Sequence, residues 1–94
     1  MDSETVSLEV LDAGSAVRRA EKAVEFDSPL RAMGLLSELK GRFPGEARLW
    51  HLSGRVLETM GCDRAAEENY RHALSLDPCR EDLVLDLAEL LYQD

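Results

Sequence analysis

The sequence predicts an all-α fold of five short helices, and three observations carry that prediction. Apolar residues recur three and four positions apart, with no clear strand alternation after residue 12. Turn and stop residues divide these stretches into pieces of about a dozen residues. The chain also lines up with itself when displaced by 34 positions. Ala20 then falls on Gly54, Ala32 on Ala66, Leu36 on Tyr70 and Pro44 on Pro78. A second displacement brings Gly54 onto Ala88 and Leu57 onto Leu91.

The elements follow in order. Residues 1–12 carry acids and no base, and "TVSLEVL" within them reads either as a short helix or as an extended, flexible arm. Ala16, Ala20, Ala23 and Val24 form the face of a first helix that ends near Phe26. Ser28 and Pro29 then supply a capping hydroxyl and a first-turn proline for the second helix, which runs through Leu35, Leu36 and Leu39 until "RFPGE" ends it. Leu49, Leu52, Val56, Leu57 and Met60 make one face of the third helix, and "GCD" at 61–63 breaks it. Ala65, Ala66, Tyr70, Ala73 and Leu74 form the fourth, stopped by "LDP" at 76–78 because proline lacks the amide donor and restricts the residue before it. Glu81 to Tyr92 is the fifth.

Residues 47–80 carry Trp50, Gly54, Leu57, Gly61, Ala66, Tyr70, Ala73 and Pro78. In this pattern the chain resembles the tetratricopeptide repeat. Ser53 departs from the leucine usual in that family, with Leu52 beside it. Residues 13–46 are a weaker copy that keeps Ala20, Ala32, Leu36 and Pro44, and residues 81–94 match only a first helix. The resemblance implies a right-handed α-α solenoid of about two and a half repeats over residues 13–94, preceded by the arm at 1–12. The spacing has a physical basis. Trp50, Gly54 and Leu57 share one helix face, and Ala66, Tyr70 and Ala73 share another. Small residues at Gly54 and Ala66 are expected to let the two backbones approach while the rings fill the flanks.

Composition narrows the function. The chain has 94 residues, 45% hydrophobic and 32% charged, with a net charge of −8. Such an acidic balance disfavours nucleic-acid binding, which needs cations against phosphate. The charge is uneven: residues 13–48 carry seven bases and five acids, residues 49–94 four bases and ten acids. No apolar run approaches the roughly 20 residues of a membrane span. The acidic N-terminus has no basic n-region of a secretory signal, and the default location is cytoplasmic.

No catalytic constellation emerges, and the chain reads as non-enzymatic. His51 and His72 lie on different helices, and no phosphate-cradling glycine loop is present. Cys62 and Cys79 have no histidine at metal-ligand spacing, so neither a metal nor a cofactor is expected. A whole helix, roughly 20 Å at 1.5 Å per residue, separates the turns that hold them and forbids a bridge within the chain. Glu67 and Glu68 read as a solvated face.

Protein binding is the expected role. In the resembled family the first helix of each repeat lines a concave groove. By position that implies Val17, Glu21 and Val24, then Arg48, His51, Arg55 and Glu58, then Asp82, Leu85 and Glu89. Chaperone-docking members of the family clamp an acidic C-terminal peptide with lysine, asparagine and arginine. The matching positions here are Val17, Glu21, Leu52, Asp82 and Asp86, so an acidic tail is not expected and a basic or mixed peptide fits better. The last helix carries apolar residues over roughly 220° of its surface, where a surface helix needs about 100°. Leu85, Leu90 and Tyr92 are therefore expected at an end interface. The readings for that end are a homodimer, a seat for a partner's helix, the front piece of a longer protein, or a helix sitting unusually deep. A small chaperone that shields an apolar client segment, such as a secretion substrate, is the second functional reading. An RNA-binding helical repeat is a third, disfavoured by the charge.

Overall fold

The computed structural model describes residues 12–93, and the N-terminal arm expected at 1–12 lies almost wholly outside them. The described residues form α1 (Ala13–Phe26), α2 (Pro29–Arg42), α3 (Ala47–Thr59), α4 (Asp63–Leu76) and α5 (Glu81–Tyr92), with no strand among them.

Local chemistry sets the ends of these helices. The Asp12 carboxylate accepts from the Ser15 amide at 2.7 Å and caps α1. The Ser28 hydroxyl accepts from the Arg31 amide at 3.4 Å, with Pro29 in the first turn of α2. After α3, Gly61 takes a φ of 81°, which side-chain-bearing residues rarely adopt. The Cys62 amide then reaches back to Leu57 O at 2.8 Å and the Gly61 amide to Glu58 O at 3.0 Å, satisfying carbonyls the helix end would otherwise leave open. Pro44 and Pro78 lie in the turns after α2 and α4.

Each helix packs on its neighbour in the chain. In addition α1 packs on α3, and α3 on α5. Two cores result. Ala16, Ala20 and Ala23 of α1 meet Ala32, Leu36 and Leu39 of α2 and Leu49, Leu52 and Val56 of α3. Tyr70 and Ala73 of α4 meet Leu83, Leu87 and Leu90 of α5, with Trp50 and Leu57 of α3 packed alongside. Helix α3 therefore gives one face to each core. Each fully buried leucine in these clusters contributes roughly 1.5–3 kcal/mol through its removal from water.

The close approach within the α3–α4 pair differs from the expectation of backbone against backbone. A Cβ built on Gly54 would overlap the Tyr70 ring, so the missing side chain admits a ring. Trp50 ties the same region to α2. Its indole N–H donates to Pro44 O at 3.0 Å, its ring centroid lies 4.0 Å from that of His72, and Lys40 Nζ sits 4.6 Å above it. Lys40 also donates to Asn69 Oδ1 at 3.1 Å.

Candidate functional site

The α1–α3 and α3–α5 contacts set the first helix of each unit side by side, and a chain of polar groups crosses all three. Arg48 Nε donates to Glu21 Oε2 of α1 at 3.0 Å. Its Nη1 lies 3.1 Å from His51 Nδ1 and 3.6 Å from Asp82 Oδ2 of α5. His51 Nε2 lies 2.5 Å from Asp86 Oδ2. Arginine only donates and an ionised carboxylate only accepts, so the two contacts fix the tautomer. Nδ1 accepts from Arg48, and Nε2–H donates to Asp86. The ring of Tyr70 meets His51 edge-on, with centroids 5.8 Å apart.

His51 was expected to line the groove, and the structure corrects this. The side chain is 1% exposed, so it is buried rather than part of an accessible lining. It bridges α3 and α5 through Asp86, and both ring nitrogens of its neutral form are bonded. Burial pushes its pKa down, the hydrogen bond to Asp86 opposes that shift, and the Arg48 charge adds to it.

Two small cavities lie among these helices, both bordered by Val24 and Arg55. One, of about 470 Å³, is walled by Glu58, Thr59, Tyr70 and Asp86. The other, of about 390 Å³, is walled by Glu21, Glu25, Arg48 and Leu52. The Tyr70 hydroxyl donates to Glu58 Oε1 at 2.8 Å. Burial and that carboxylate both raise the phenol pKa, so Tyr70 remains a donor across the neutral range. Arg55 is exposed, and among the described residues its guanidinium is neither hydrogen-bonded nor ion-paired.

The other expected groove residues divide. Val24, Arg55 and Glu58 line the cavities, while Glu21 and Arg48 are engaged with each other. Val17 packs against the first core. Asp82 is exposed and pairs with Arg48 and Arg80. Leu85 and Glu89 are exposed on α5 but border neither cavity. At the end of the chain, Leu85 is 64% and Tyr92 84% exposed. Leu90 is corrected: it is 7% exposed and belongs to the second core, because it shares the inward face of α5 with Leu83 and Leu87.

Tyr70 escaped the sequence reading as a groove residue because its ring spacing marks a packing position. Asp86 carried a usable signal. One repeat earlier its position is Leu52, which is buried, so a carboxylate there points to a buried polar partner.

A larger cavity of about 1020 Å³ lies against α1 and α2, lined by Arg18, Lys22, Phe26 and Arg31 among others. Its charges are mixed, and no residue of α3 or α5 borders it. Both cysteines are free and exposed. Among the described residues, no group of three or more histidine, cysteine, aspartate or glutamate side chains is placed to hold a metal. No helix among them is long and apolar enough to cross a membrane. No protein-family model matches the chain, and no curated protein or solved structure does so either.

Proposed function

We propose that this chain is a non-catalytic protein-interaction module of tetratricopeptide type, and that its five helices form a short right-handed solenoid. Its groove takes an extended peptide of basic or mixed charge. The observation that supports this most directly is the pair of adjoining cavities across α1, α3 and α5, with Val24 and Arg55 common to both. Their walls carry the carboxylates of Glu21, Glu25, Glu58 and Asp86 against the guanidiniums of Arg48 and Arg55, and the Glu21–Arg48 pair cancels one of each. Acceptors therefore exceed available donors. A peptide bearing lysine or arginine complements the walls, and the unpaired Arg55 suits a backbone carbonyl of that peptide.

Selection from a random peptide library, followed by binding measurements, tests the proposal. Enrichment of basic peptides is expected, with affinity lost at least tenfold in Val24→Asp and Arg55→Glu. Enrichment of acidic peptides, binding indifferent to both variants, or no binding at all would overturn it.

A further inference from the structure

One face of α1 differs in chemistry from its counterparts 34 and 68 residues further on. In α3, Leu49, Leu52 and Val56 join the core shared with the preceding helix, α2. Adding 34 to each position gives Leu83, Asp86 and Leu90 in α5, where both leucines join the core shared with the preceding helix, α4. Subtracting 34 gives Ser15, Arg18 and Lys22 in α1. The face that receives the preceding stretch of chain is thus apolar in α3, largely apolar in α5, and polar and basic in α1. Arg18 and Lys22 border the cavity of about 1020 Å³ against α1 and α2. Four bases line that cavity against three acids, and one of those acids, Glu21, is already paired with Arg48. Bases stay in excess with Arg19 left out of the count. The Lys22 ammonium and the Arg31 guanidinium are neither hydrogen-bonded nor ion-paired among the described residues. The same cavity takes in Phe26, which is 74% exposed, and the half-buried Leu35.

We propose that residues 1–11 of this chain, the stretch immediately before α1, dock in this cavity as its acidic cover. That stretch carries Asp2, Glu4 and Glu9 and no basic side chain, which complements Arg18, Lys22 and Arg31. Its Val6, Leu8 and Val10 supply apolar side chains for Phe26 and Leu35. Length permits the contact. Along α1, Arg18 lies about 8 Å and Phe26 about 20 Å beyond Ala13. Eleven residues span about 16 Å as a helix and up to about 36 Å when extended, so either form, turned back along α1, reaches Arg18 and Lys22. The direct covalent link also favours this occupant over the same stretch of a second copy, because a short tether holds the effective concentration in the millimolar range. Attraction between charges open to water weakens with salt, so the cover is released as ionic strength rises. This inference does not depend on the peptide reading of the groove.

Two measurements on the full chain test the proposal. A glutamate-specific protease cuts the bond between Glu4 and Thr5, and a synthetic peptide of residues 1–13 gives the rate for an undocked stretch. Cleavage in the full chain is expected to be at least tenfold slower than in the peptide. An Arg18→Glu/Lys22→Glu variant with unchanged helical circular dichroism is expected to recover the peptide's rate. A wild-type rate equal to the peptide's would overturn the proposal, and so would protection that survives the variant. The second measurement needs no variant. A carbodiimide joins carboxylates to lysine amines in contact, and Lys22 and Lys40 are the only lysines. In an equal mixture of unlabelled and nitrogen-15-labelled chains, Lys22 is expected to link to Asp2, Glu4 or Glu9 within chains of one label, with the yield falling at least fivefold in about 1 M salt. Links between chains of different label would assign the cavity to a second copy. That result, or no link from Lys22 to any of the three acids, would overturn the proposal.

Discussion

The Tyr70 ring occupies the space that a Cβ on Gly54 would need. Alanine at a helical glycine normally gains about 1 kcal/mol from propensity. Here the gain is expected to reverse, because the overlap is with carbons of a buried ring whose hydroxyl is held by Glu58. Gly54→Ala should destabilise the chain by about 1–3 kcal/mol in urea unfolding. A Tyr70→Leu background should shrink that cost, and an equal cost in both backgrounds would show that the ring is not its source.

His51 makes stability depend on pH. Its folded pKa lies below the ordinary histidine value of 6.5, so below that value the unfolded chain binds more protons than the folded one. Stability is therefore full above about pH 6.5 and is lost as the pH falls from there towards the folded pKa. Denaturation midpoints between pH 7.5 and about 5 should decline in the wild type and decline less in His51→Gln. Parallel profiles would assign the acid sensitivity to other groups.

Leu85 and Leu90 separate the two sides of α5. Leu85→Asp places a charge on an exposed position and should leave the melting temperature nearly unchanged. Leu90→Asp buries an unpaired carboxylate in the second core and should cost about 3 kcal/mol or more. Unfolding of the Leu85 variant would show that the outward face of α5 contributes to the core.

Ser53 is buried, and its hydroxyl has no hydrogen-bond partner among the described residues. Removal of an unsatisfied buried hydroxyl relieves a desolvation cost of roughly 1–3 kcal/mol. Ser53→Ala should accordingly match or exceed the wild type in its urea midpoint, and a clear loss of stability would show that the hydroxyl is bonded.

The sequence alone determined the helices and their ends. Ser28, Pro29, Gly61 and the proline turns act on their immediate neighbours, so their effect is legible within a few residues. The inward set Leu83, Leu87 and Leu90 was not separable from Val84, Leu85 and Leu91 by sequence, because all are apolar and only the docking of α5 on α4 selects a face. The tertiary structure likewise decided the state of His51. A helical histidine can point either way, and its burial followed from Glu21, Arg48, Asp82 and Asp86 converging from three helices. Tyr70 was legible as a packing ring, but its place in a cavity wall was decided only when α4 brought its hydroxyl to Glu58. Periodicity reports short-range preference, which one helix settles by itself. Which face is buried, and which polar atoms find partners, depend on segments a full repeat apart, and only their packing decides it.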